Sequence, residues 1–175
     1  MPMTSSRKSA LDERWVVNAS PLISLARIGQ TRLLGELAEQ VVIPLAVARE
    51  IEAAAVDDPA RRALAVGEFR VVESPPPAAE LLAWDLGAGE TAVLSWVMQN
   101  SRWTAILDDA QARRCARSLS VPVKGTLAVI VLARQRGLIA SAAALLRELQ
   151  RVGFRLDDNT IRQALARTVG EAWDS

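Results

Sequence analysis

Four short segments put carboxylates or an amide beside strand ends or near helix starts. They are Asn18-Ala19-Ser20-Pro21, Arg49-Glu50-Ile51, Asp85-Leu86-Gly87-Ala88-Gly89-Glu90 and Leu107-Asp108-Asp109. Each has a local explanation. Asn18 and Ser20 are leading N-cap residues, and Pro21 suits a first helical position. Val47 and Ile51 are four apart and mark a core face that Glu50 borders; a solvated helix carboxylate would look the same, and Glu52 is its nearest competitor. Glu90 in a first turn is favoured by the helix dipole. Two aspartates directly after a buried strand, Asp108 and Asp109, exceed what one cap needs. Taken together, the segments point to a single chemistry. Several carboxylates in one crevice repel one another, and without a cation some stay protonated. Mg²⁺ or Mn²⁺, which prefer oxygen ligands, relieves that repulsion. An amide oxygen at position 18 can join such a ring but adds no charge.

Composition narrows the alternatives. The chain has no histidine and one cysteine, Cys115. Imidazole acid–base steps, His-ligated zinc and an internal disulfide are therefore excluded. Any catalysis runs on carboxylates, hydroxyls, Lys or Arg, or an oxygen-bound cation. The 175 residues are half hydrophobic and carry a formal charge of +1, enough for a sizeable core but not for a uniformly basic nucleic-acid surface. The polar opening MPMTSSRKSALD lacks the apolar run of a signal peptide, and no apolar run is long enough to span a bilayer. These features read as a cytoplasmic protein.

Strand-length apolar runs at Trp15–Asn18, Val41–Ile43, Phe69–Val72, Thr104–Leu107 and Val121–Val123 alternate with helical patterns. The helical stretches are Pro21–Ile28, Thr31–Ala38, Leu45–Ala55, Pro59–Val66, Gly89–Gln99, Asp109–Leu119, Leu127–Arg136, Ala142–Val152 and Asp157–Thr168. Consecutive apolar residues suit strands covered on both faces, and the alternation predicts a parallel sheet with right-handed crossovers. Gly137 and Gly153 stand where C-terminal caps belong. The reading divides the chain into a flexible segment 1–13, one domain over 14–168 and a C-terminal tail 169–175. In such a sheet the ends of the first and fourth strands can be neighbours where strand order reverses, which would bring Asn18 beside Asp108 and Asp109. A receiver-like phosphoacceptor fits poorly, because no aspartate ends Phe69–Val72, and no Gly-x-Gly-x-x-Gly follows the first strand.

VVNASPLISLARIG, IPLAVAREI, LGAGETAVL, ILDDAQARRCA and VKGTLAVIVLARQRGLI, in that order and spacing, resemble the PIN domain family. Within it they are similar to the small prokaryotic toxins of toxin–antitoxin pairs. The resemblance covers Val16 to about Leu165. It implies a three-layer α/β/α sandwich with a short parallel sheet in order 3-2-1-4-5, and a Mg²⁺- or Mn²⁺-dependent endoribonuclease site. Carried over, Asn18, Glu50 and Glu90 take the first three acid positions and the Asp108–Asp109 pair the fourth, with Asp109 slightly favoured as the counterpart. Ser20 and Thr126 fall where hydroxyls would support a ligand or a phosphate oxygen. Arg49, Arg113, Arg117 and Lys124 are the candidate RNA-binding cations, although a basic helix face is also an ordinary solvated surface. The tryptophans at 15, 84, 96 and 103 sit in apolar patterns and read as core or interface, which leaves base stacking scarce. A cognate antitoxin and a homodimer are the implied partners, with Thr31–Ala38 and Leu127–Ala133 as apolar surfaces. Asn18 departs from the aspartate of the broad family. That amide keeps a second outcome open, a PIN-like module that binds RNA or protein with weak or no turnover.

Overall fold

The computed structural model describes residues 13–174; most of the proposed N-terminal segment lies outside the described residues. Trp15, Val16 and Val17 are fully buried in β1 (Arg14–Val17), as a strand covered on both faces requires. β1 lies between β2 (Gln40–Pro44) and β4 (Trp103–Ile106), with Trp15 opposite Val41 and Thr104, and Val17 opposite Ile106. β3 (Arg70–Val72) and β5 (Val123–Lys124) complete a parallel sheet in the expected order 3-2-1-4-5. The chain builds outward from β1 through β2 to β3, then returns to start β4 on the other side of β1. The order reversal therefore falls between β1 and β4, where Asn18 N–H donates to Ile106 O at 3.1 Å. A reversal of this kind opens a crevice at the carboxyl ends of the two strands.

Helices flank the sheet. α1 (Ala19–Arg27) and α2 (Arg32–Leu37) follow β1, and α3 (Leu45–Glu52) and α4 (Pro59–Ala65) follow β2. α5 (Ala79–Leu82) and α6 (Ala88–Gln99) lead into β4, and α7 (Ala110–Ser118) leads into β5. α8 (Thr126–Gln135), α9 (Ala142–Arg151) and α10 (Asp158–Thr168) close the domain. The single turn α5 was not expected, because the preceding Ser74-Pro75-Pro76-Pro77 connector masks its short apolar pattern. The fifth strand lies later than Val121–Val123. Pro122 has no N–H for a sheet ladder, though its carbonyl still accepts from Ala105 N–H at 2.9 Å.

The two apolar helices expected as dimer surfaces instead pack on each other within one chain. Leu33, Leu34 and Leu37 of α2 and Val129 and Ile130 of α8 are buried in the core. The described residues after α10, 169–174, form neither helix nor strand, yet they are anchored. Trp173 is buried, its indole N–H donates to Asp158 at 3.1 Å, and the Arg147 guanidinium lies over its ring. Among the described residues no helix is long and apolar enough to cross a membrane.

Candidate active site

β1 ends one residue before Asn18, whose extended backbone (φ −80°, ψ 170°) is that of an N-cap for α1. Its side chain does not cap that helix. It turns across the crevice, and Nδ2 donates to Glu90 Oε1 at 3.1 Å. The residue is only 3% exposed, and its Oδ1 is buried with no hydrogen-bond partner. A buried acceptor left without a donor costs about 1–3 kcal/mol, so such atoms call for an explanation.

Glu90 stands in the first turn of α6, and the glycines around it have a steric purpose. A Cβ on Gly87 would overlap Glu90 Oε2. A Cβ on Gly89 would come within 2.9 Å of Asn18 Oδ1 and 3.0 Å of Glu50 Oε2. The Gly-x-Gly of LGAGE thus clears the space into which three site side chains project. Glu50 reaches the same spot from α3, although much of its side chain faces solvent. Burial of its carboxylate, and then the nearby charge of Glu90, push its pKa above the ordinary carboxylate value.

The Asp-Asp pair divides its labour. Asp108 accepts from Thr126 N–H and Thr126 Oγ–H, both at 2.7 Å, which ties the end of β4 to the start of α8. Ser20 Oγ donates to the same carboxylate at a longer 3.4 Å. Asp109 is the N-cap of α7, accepting from Ala112 N–H at 2.8 Å, and is otherwise exposed. Asn18, Ser20, Glu90, Asp108 and Asp109 line one cavity of about 590 Å³, and Glu50 adjoins it beside Asn18. The order reversal thus puts Asn18 and Glu90 on the same cavity as Asp108 and Asp109. Among the described residues, however, no three acidic or cysteine side chains are placed to enclose an ion by themselves.

The expected cations separate. Arg113 and Arg117 line a cleft of about 760 Å³ together with Arg114, Arg155 and Asp108. Burial and the neighbouring Arg117 lower the Arg113 pKa from its ordinary value, while Asp108 acts in the opposite sense. Arg49 lines a different hollow with the Pro75–Pro77 run. Lys124 is held by Glu13 at 2.9 Å. Sequence reasoning missed Arg27, Phe154 and Arg155, which also line the acidic cavity. The last two sit in the α9–α10 connection, where the only sequence signal is Gly153.

The family model described as a PIN domain matches residues 14–171. The chain belongs to the PIN domain family. No curated protein matches it significantly. PIN domains are generally nucleases and typically use divalent metals. The residues of this PIN domain fit such an ion in part of the crevice. An unpartnered buried amide oxygen and the Glu50 carboxylate converge on one point, with Glu90 alongside. Two carboxylates and one amide oxygen leave room for water in the shell, as Mg²⁺ usually requires. Asp108, by contrast, has both oxygens engaged by Thr126.

Proposed function

We propose that this PIN domain is a Mg²⁺- or Mn²⁺-dependent endoribonuclease that hydrolyses RNA phosphodiesters, and that it is the toxin of a toxin–antitoxin pair. The observation that carries the nuclease reading is the orphaned Asn18 Oδ1, buried at the switch point beside Glu50 and Glu90. A bound divalent ion would acidify water and offset charge on the non-bridging phosphate oxygens. Glu50, Glu90 and the Asn18 oxygen would hold it, and Asn18 Nδ2 fixes the orientation of Glu90. Thr126 and Ser20 orient Asp108, which with Asp109 keeps the cavity wall negative. Arg113 borders that wall and can receive a phosphate oxygen. The toxin role, a cognate antitoxin and a homodimer rest on the motif resemblance. Identification of a small protein co-purifying from the native operon tests the pairing.

The decisive experiment measures cleavage of a labelled single-stranded RNA with and without Mn²⁺. Glu90→Gln and Asp109→Asn are each expected to lower the rate at least about a hundredfold. Asparagine caps a helix as well as aspartate does, so Asp109→Asn should melt close to wild type. Cleavage by both variants at the wild-type rate, or cleavage indifferent to chelator, refutes the proposal. One observation favours a second reading, a binding module with little turnover. No three acids enclose an ion among the described residues, and a chain that binds RNA but never cleaves it would show that reading to be correct.

A further inference from the structure

α9 ends in a Schellman cap. Gly153 takes φ +97°, its N–H donates to Gln150 O at 3.1 Å, and Phe154 N–H donates to Leu149 O at 3.0 Å. This pattern asks for an apolar residue at the position of Phe154, where it can touch the last turn of the helix. Any aliphatic side chain would satisfy that need. Phe154 is instead a half-buried ring at the junction of three hollows. It lines the acidic cavity with Asn18, Glu90 and Asp109, the arginine cleft with Arg113, Arg114 and Arg117, and a groove of about 380 Å³ along α8. Among the described residues it is the one aromatic side chain lining them. Phe69 and Trp15 are buried in the core, and Trp96 and Trp103 stack edge to face against each other. The neighbouring Arg155 borders both the acidic cavity and the arginine cleft, and makes no ion pair among the described residues.

We propose that the Phe154–Arg155 pair selects single-stranded RNA: the Phe154 ring stacks on an unpaired base next to the phosphate in the acidic cavity, and Arg155 holds the adjoining backbone. This rests on the nuclease reading above and assigns to it two side chains that determine specificity. A phosphate lying between the acidic wall and Arg113 leaves its flanking base within reach of a ring fixed at the rim. Bases inside a duplex are stacked on their own neighbours and offer no face to a side chain at that rim. Stacking on an aromatic ring tolerates any base, so the pair distinguishes strandedness, not sequence.

The test uses the full chain carrying Glu90→Gln, so that RNA is bound without turnover, and reads fluorescence anisotropy with a labelled octauridine and with a blunt RNA duplex. Phe154→Leu keeps an apolar side chain for the cap but offers no ring. It should melt like its parent and bind octauridine at least about fivefold more weakly, with Phe154→Trp retaining affinity. The same loss should follow in the parent when the stacked nucleotide is made abasic, and Phe154→Leu should then cost nothing more. Duplex affinity should not change. If Phe154→Leu binds octauridine as well as its parent, or loses duplex and single strand equally, the ring has no selective role and the inference falls while the nuclease reading stands. If the parent binds no RNA of either kind and the wild-type chain cleaves none with Mn²⁺, both fall together.

Discussion

At the scale of the residue, Asn18 concentrates the chemistry. The most ordinary use of an asparagine ahead of a helix is to cap it, and here the backbone takes the cap conformation while the side chain leaves to hold Glu90. Asn18→Asp replaces an amide donor with a carboxylate facing Glu90, in a pocket where Glu50 is already reluctant to ionise. In metal-free buffer the substitution should cost about 2 kcal/mol, or roughly 5 °C in Tm for a domain of this size. With Mn²⁺ the order should reverse, because a third charge in the ring tightens the ion and ligand binding raises stability. Thermal melts across a Mn²⁺ titration read both effects. A variant that melts like wild type with and without the ion would leave position 18 as no more than a helix start. The sequence made this site partly legible. Asp108-Asp109 stood out, because a helix cap needs only one of the two aspartates. What Asn18 touches was not legible, since an amide that caps and one that crosses to another helix look identical in one dimension.

At the scale of the element, the long helices and four of the five strands were readable because their apolar residues follow a helical or a strand-length pattern, with Gly137 and Gly153 marking two of the helix ends. The failures are short or are fixed from a distance. α5 is a single turn without a period of its own. The anchoring of α9 depends on Glu171, which belongs to no repeating pattern. Its carboxylate accepts from Ala142 N–H, Ala143 N–H, Ser141 Oγ–H and Arg134 Nε–H at 2.8–3.1 Å. Burial alone would raise its pKa, but those donors outweigh it and bring the pKa below its ordinary value of 4.5. A lowered carboxylate pKa means the folded chain binds this proton less readily than the unfolded chain. The stabilisation is therefore complete above about pH 4.5 and is lost as pH falls through the folded-state value. Glu171→Gln should cost about 1–3 kcal/mol at pH 7 and much less near pH 3. Urea unfolding at the two pH values decides the matter. An equal cost at both would make the contact one of shape and not of charge.

At the scale of the whole molecule, near-neutral net charge conceals a separation that only the sheet order creates. Acids gather at the carboxyl ends of β1 and β4, while Arg113, Arg114 and Arg117 on α7 and Arg155 from the α9–α10 connection line the adjoining cleft. An RNA held by this cleft should therefore show a moderate salt dependence, set by a few phosphates and not by a whole basic face. For single strands each neutralised phosphate contributes about −0.7 to the slope of log K against log salt, so three or four arginines predict a slope of roughly −2 to −3. Replacing Arg114 and Arg117 together by alanine should flatten it by about 1.4. Arg49, which lines a separate hollow with the proline run, should leave the slope unchanged when replaced by alanine. Octauridine titrations of Glu90→Gln protein over about a tenfold range of KCl would measure these slopes. A flat dependence would remove RNA from the arginine cleft altogether. A slope much steeper than that, with Arg49→Ala lowering it too, would mean that the nucleic acid crosses the α3 side of the molecule as well.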